Sequence, residues 1–242
     1  MRIISWNCAA ASQQKIDLLL GLNPDVAVVP ECSEANIEAL KAKGYSAFWL
    51  GQLSTKGIGV IAGNGWKLTP RLDNLAALKT VAAFDVSGPA NFTLVAVWTQ
   101  STKGYRGYAA ELHAIATHPE WFRNGPVVLA GDLNSNSRWD SECKPNHHSS
   151  FIELMRGFGL ESAYHLMSEE AQGAEKRPTH YHQWNSEKGF HLDYVFVPAE
   201  WRNRISAAEV GTYEQWGKIS DHCPVIVSLH EPTSEGSCVA AE

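Results

Sequence analysis

Five short apolar runs, each with a carboxylate, carboxamide or imidazole at or near one end, constrain the fold of this chain more than any other feature. Ile3-Ile4-Ser5-Trp6 ends in Asn7, and Val26-Ala27-Val28-Val29-Pro30 ends in Glu31. Val127-Val128-Leu129-Ala130-Gly131 leads into Asp132-Leu133-Asn134. Phe190–Val197 carries Asp193 inside an alternating pattern, and Ser220-Asp221-His222 comes just before Val225-Ile226-Val227. Runs this rich in β-branched and aromatic residues read as strands. Three present their polar residue at the C-terminal end, whereas Asp221 and His222 precede theirs. In a mixed or antiparallel sheet the start of one strand lies beside the ends of its antiparallel neighbours, so these groups are expected on one sheet edge. Taken singly, Ser-Asp before a strand is ordinary turn chemistry. Gathered together, such carboxylates repel one another unless a cation neutralises them, and a functional site is the better reading.

The remaining segments set the architecture. Ser12 caps an expected helix over Gln13–Leu20, and Ser33 with Glu34 opens another that runs to Lys43. Strands are expected at Tyr45–Leu50, Gly57–Ala62, Lys79–Val86 and Phe92–Trp98, then helices at Arg106–Thr117 and Ser149–Phe158. Consecutive strands mixed with helices argue for an α/β fold with two sheets packed face to face and helices outside. At 242 residues and 44% hydrophobic, one domain over residues 1–230 is expected, with a flexible tail at 231–242. No run of about 18 apolar residues occurs, and no charged-then-apolar leader follows Met1-Arg2. The five cysteines are scattered and odd in number, which fits buried thiols in a reduced, cytoplasmic protein better than a disulfide framework.

Trp6-Asn7, Glu31, Gly131-Asp132-Leu133-Asn134, Asp193-Tyr194-Val195-Phe196 and Ser220-Asp221-His222, in this order, resemble the endonuclease/exonuclease/phosphatase superfamily. That group includes exonuclease III, apurinic endonucleases, pancreatic-type DNases, inositol polyphosphate phosphatases and sphingomyelinases. The resemblance spans nearly the whole chain and implies a four-layered α/β sandwich that hydrolyses phosphoesters. It also implies roles: Asp132 orients or activates the attacking water, Asn134 touches the phosphate, and His222, paired with Asp193, contacts the phosphate or carries protons. Glu31, Asn7 and Asp221 are the expected metal ligands, and oxygen donors of this kind suit Mg²⁺ or Mn²⁺ rather than zinc.

The chain also departs from the family pattern. Cys8-Ala9-Ala10 follows Asn7 where nuclease members often place a further polar residue, and Pro30 precedes Glu31 where a Gln is common. Trp98 closes Val95-Ala96-Val97 where relatives present Tyr or His toward the phosphate. Indole donates one hydrogen bond but shuttles no proton near neutral pH. Trp98 is therefore expected as a stacking wall, helped by Tyr105 and Arg106, or else Tyr105, Arg106 or Tyr108 fills the missing role. His180 and His182 alternate in a Pro-Thr-aromatic-like segment ahead of Asp193.

Net charge limits the substrate. The chain carries −6 and no Lys/Arg run longer than two, unlike enzymes that track long duplexes on a basic face. Three readings follow: a Mg²⁺- or Mn²⁺-dependent nuclease acting on DNA ends or single strands, a phosphatase or phosphodiesterase for a small phosphorylated or lipid-headgroup substrate, and a binding module that has lost catalysis. The complete set of acidic groups argues against the last. The Trp6-Asn7 start favours the nuclease, with nucleic acid as its partner.

Overall fold

The apolar runs become strands of two separate six-stranded sheets rather than one. The computed structural model describes residues 1–71, 80–101, 105–141 and 146–231. In chain order the first half contains β1 (Arg2–Ser5), α1 (Gln13–Gly21), β2 (Val26–Cys32), α2 (Glu34–Ala42), β3 (Ser46–Leu53) and β4 (Lys56–Ala62). Next come β5 (Lys67–Arg71), β6 (Val81–Ser87), β7 (Phe92–Trp98), α3 (Tyr105–Ile115), β8 (Val127–Asp132), α4 (His148–Gly157), β9 (Leu160–Ser162) and α5 (Ala163–Ser168). The last part holds β10 (His180–Tyr181), β11 (Gly189–Phe190), β12 (Asp193–Pro198), β13 (Ile205–Val210), α6 (Tyr213–Trp216) and β14 (Val225–Leu229).

The first sheet runs β13-β14-β1-β2-β4-β3 and the second β5-β6-β7-β8-β12-β9. Between them lies an apolar core in which Ile3, Val28, Val60, Phe84, Leu94, Val128, Val195 and Val227 are buried. Outside the first sheet, Ile16 and Leu19 of α1 and Ile37 and Leu40 of α2 pack on Ile4, Ala27, Val29 and Ile61. Outside the second, Leu112 and Ile115 of α3 and Phe151, Ile152 and Met155 of α4 pack on Val95, Leu129 and Phe196. The result is the expected helix–sheet–sheet–helix sandwich. Ser12 and Ser33 do cap α1 and α2, their hydroxyls accepting from the N–H groups of Lys15 and Asn36.

Two expectations change. Phe190–Val197 is not one alternating strand: it breaks at His191-Leu192 into β11 and β12, and every residue of β12 is buried. Helices cover one face and the other sheet covers the opposite face, so alternation is lost. The break itself is held by the Thr179 hydroxyl, which accepts from the backbone N–H groups of Leu192 (2.8 Å) and Asp193 (2.9 Å). A strand at Lys67–Arg71 was not anticipated because Pro70 interrupts it, yet β5 is a sheet edge, where a missing N–H is tolerated. Lys79 and residues 232–242 of the expected tail lie outside the described residues.

Gly131 fixes how closely β7 and β8 approach. Its φ is +145°, and a Cβ built there would sit 1.7 Å from the Val97 carbonyl oxygen, a backbone atom that cannot yield. Gly131→Ala is expected to destabilise the protein by about 3–5 kcal/mol or to prevent folding. Urea denaturation reads this directly, and a midpoint near wild type would refute the close-approach account.

Candidate active site

The two sheets present the residues singled out in the sequence at the same end of the sandwich, so the candidate site forms where two sheet edges meet rather than along one. From the first sheet come Asn7, just beyond β1, Glu31 near the end of β2, and Asp221-His222 ahead of the antiparallel β14. From the second come Asp132 at the end of β8 and Asp193 at the start of antiparallel β12, which face each other directly in register. Within the first sheet, Ser220 and Trp6 tie Asn7 to His222. The Ser220 hydroxyl donates to the Asn7 carbonyl (2.9 Å) and accepts from His222 N–H (3.1 Å), while Trp6 Nε1–H donates to the His222 carbonyl (3.0 Å).

Backbone strain aims the side chains. Glu31 occupies a β-bulge where the register slips between Pro30 and Cys32, and it takes a left-handed φ of +59°. Such a bulge turns a side chain out of its strand at a cost of about 1–3 kcal/mol. Ala9, Ala10 and Asn134 also have positive φ, at 44°, 64° and 46°.

Asp132 is fully buried and accepts three hydrogen bonds, from Asn7 Nδ2 (2.9 Å), Asn134 N–H (2.9 Å) and Asn134 Nδ2 (3.0 Å). His222 Nδ1 meets Asp193 Oδ2 at 2.7 Å, and both residues are buried. The other carboxylate oxygen of Asp193, Oδ1, is buried with no hydrogen-bond partner among the described residues. Burial and the neighbouring Asp193 push the Asp132 carboxyl up to about 7, against the pull of His222 and the Asn7 amide. Burial alone would lower the His222 imidazolium, but Asp193, with Asp132 and Asp221, raises it to about 9. His180 goes the other way, down to about 3, through burial and its neighbours His222 and His182. It therefore faces the site as a neutral ring, its Nε2 3.8 Å from Asp221 Oδ2 and its centroid 4.4 Å from that of His222.

A family model described as "Endonuclease/Exonuclease/phosphatase family" matches residues 4–222. The chain belongs to this family. Similar solved structures include the 3′ phosphatase NExo from Neisseria bound to product DNA hairpin, 21% identical, with 95% of this chain and 99% of that one covered and a TM-score of 0.68. An AP endonuclease from Archaeoglobus fulgidus is 14% identical over 95% and 99%, with a TM-score of 0.66. Truncated Caenorhabditis elegans TDP2 is 11% identical over 93% and 96%, with a TM-score of 0.63. At these identities the likeness carries the fold. No curated protein matches the chain closely enough to count as a relative.

Two groups of side chains in this family member come close enough together to hold a cation. Asp132, Asp193 and His222 bring one ligand atom each within 4.8 Å of one another, as do His180, Asp221 and His222. An unpaired buried carboxylate oxygen among them is the kind of atom that a metal satisfies.

Individual placements refine the expectations. Asn7 turns its amide nitrogen, not its oxygen, toward Asp132 and Glu31 (3.5 Å), because its oxygen accepts from the strained Ala9 N–H (3.0 Å). In this arrangement the amide nitrogen, not the oxygen, faces the two carboxylates. Asn134 spends both amide hydrogens within the protein, on Asp132 (3.0 Å) and on the Thr99 carbonyl (3.1 Å). Trp98 is only 4% exposed and belongs to the inter-sheet core, so it offers no open indole face to a base. The side chains of Tyr105 and Arg106 lie outside the described residues. The open aromatic surface lies elsewhere, in a cavity of about 540 Å³ lined by Tyr108, Asn134, Trp139, His180, His182, Phe190 and Leu192.

Two contributors went unrecognised in the sequence. Thr179 is fully buried, and besides its hydroxyl contacts it accepts from Cys223 N–H through its carbonyl (2.7 Å), binding the strand of Asp193 to the strand of His222. Only its place in the Pro178-Thr179-His180 segment hinted at this. Lys56, the first residue of β4, puts Nζ 3.1 Å from Glu31 Oε2. It sits in a hairpin turn and carries no sequence signal of its own. Among the described residues, no helix is long and apolar enough to cross a membrane.

Proposed function

We propose that this protein is a Mg²⁺- or Mn²⁺-dependent phosphodiesterase acting on DNA, at an end or an unpaired nucleotide. The observation that carries the reading is the buried Asp132–Asp193–His222 constellation beside the aromatic cavity at Asn134. A cavity of about 540 Å³ is of a size to take a single nucleotide unit. Trp139, Phe190 and Tyr108 supply the faces on which one base or sugar rests, the role first expected of Trp98.

In this reading Glu31 and Asp221 would hold the divalent ion. Bound there, the ion supplies Lewis-acid stabilisation of charge on the phosphoryl oxygens. Asp132, held by Asn7 and Asn134, accepts a hydrogen bond from the attacking water and fixes its line of approach. The His222 imidazolium, oriented by Asp193, donates from Nε2 to a non-bridging phosphate oxygen as charge grows there. The structural relatives described as a 3′ phosphatase bound to a DNA hairpin and as an AP endonuclease support this choice of substrate.

The net charge of −6 favours a second reading, a phosphatase or phosphodiesterase for a small phosphorylated compound or lipid headgroup. A substrate panel separates the two. Duplexes with 3′-phosphate, abasic and blunt ends, single-stranded DNA, RNA and small phosphodiesters are incubated with Mg²⁺ or Mn²⁺. Preferential turnover of ends, abasic sites or single strands is expected. Turnover of small esters with every nucleic acid left intact would replace the nuclease reading with the second.

A further inference from the structure

Lys56 is the charged group at this site that neither the family pattern nor the mechanism above explains. Its ammonium lies 3.1 Å from Glu31 Oε2 and 5.4 Å above the centroid of the Trp98 ring. Glu31 thus has one oxygen toward Asn7 and the other toward Lys56. Trp98 is buried, so its ring is a fixed floor, and the face it turns to Lys56 is the negative side of its quadrupole. The Lys56 side chain is 48% exposed and that of Glu31 22%, so the ammonium remains accessible from outside. The β3–β4 turn that carries Lys56 has its own register slip between Gly51 and Leu53.

We propose that Lys56 is a resident cation of the metal site: it neutralises Glu31 in the empty protein, yields that carboxylate to the divalent ion, and then binds a non-bridging oxygen of the substrate phosphate from its perch on Trp98. Each cation keeps an anionic partner through the exchange: the divalent ion takes the carboxylate oxygen from the ammonium, and the displaced ammonium meets the substrate phosphate. It gives Trp98 a use that fits its burial. The indole holds a phosphate-binding cation at the position where relatives extend a Tyr or His. The inference rests on the proposed function in both halves, the first on Glu31 as a metal ligand and the second on a phosphoester substrate.

The test uses Lys56→Met, which keeps an unbranched stem one atom shorter and removes the charge. Mn²⁺ binding to the substrate-free protein, followed by electron paramagnetic resonance, is expected to tighten about two- to fivefold, the range for a partly exposed ion pair. At saturating Mn²⁺ the same variant is expected to raise KM more than it lowers kcat. With a DNA substrate, the slope of log KM against log salt should fall by about one phosphate contact. Lys56→Arg, which keeps the charge, is expected to return all three readouts toward wild type. Unchanged or weaker Mn²⁺ binding in Lys56→Met overturns the competition for Glu31. Tighter Mn²⁺ with unaltered KM and salt slope overturns the phosphate role. If no nucleic acid is cleaved, the Mn²⁺ measurement still decides the first half, so failure of the substrate assignment and failure of this inference remain distinct.

Discussion

His222→Ala should lower kcat/KM for phosphodiester cleavage by roughly 10²- to 10⁴-fold, the range for positioned acid–base and electrostatic groups. The expectation follows from the 2.7 Å contact between His222 Nδ1 and Asp193 Oδ2, with both residues buried. Asp193→Asn should imitate most of that loss while leaving the ring in place, because the amide no longer favours the charged imidazole. The pH dependence has a defined sign. A His raised from 6.5 to about 9 is charged across neutral pH, so the alkaline limb of kcat/KM should fall as pH rises toward 9. A divalent ion near the ring favours the neutral form and moves that limb down, never up. The same pair affects stability: its contribution is complete below about pH 6.5 and is lost as pH rises through 9. Wild-type turnover in His222→Ala, or an alkaline limb that is unaltered in Asp193→Asn, would remove His222 from the chemistry.

Most of the residues that the sequence brought forward share one property: they stand where a strand begins or ends. Asn7, Glu31, Asp132, Asp193, Asp221 and His222 are readable because strand runs are readable, and strand direction alone sends their ends to one side of the molecule. What strand ends do not reveal is the division between sheets. Asp132 and Asp193 neighbour each other by hydrogen-bonded register, whereas Asn7 reaches Asp132 only across the gap between the sheets. Trp98 shows a different loss. Phe92, Leu94, Ala96 and Trp98 share one face of β7, and that face is the inter-sheet core. The alternation was visible in the sequence, but the neighbouring β4 lysine that gives the ring its partner was not. Lys56 is near Glu31 only because Pro30-Glu31 bulges out of β2, and a bulge leaves little trace in composition. Thr179 is similar, since a hydroxyl that accepts two backbone N–H groups looks in sequence like any strand threonine. Its contacts appear only when the break between β11 and β12 is folded against it.

Glu31→Gln is expected to weaken Mg²⁺ or Mn²⁺ binding and turnover together, by at least about 10²-fold in activity, and exhaustive chelation should abolish hydrolysis. No basic residue adjoins Glu31 in the sequence, but Lys56 at 3.1 Å corrects the picture of an unpaired carboxylate. The correction changes the size of the expected effect but not its direction. In the empty protein Glu31 already has a counter-ion, so removing its charge leaves Lys56 unpaired at a partly exposed position. A pair of this kind is worth no more than about 1 kcal/mol, so the melting temperature should barely move. The cost therefore falls on metal binding rather than on folding, and the two are measured separately. Glu31→Gln and Lys56→Met should shift metal affinity in opposite directions, one weakening it by removing the ligand and the other strengthening it by removing the competitor. A carboxylate that served only to hold a turn would produce no such opposition. Glu31→Gln with wild-type metal affinity, or hydrolysis that survives chelation, would leave this site without its metal.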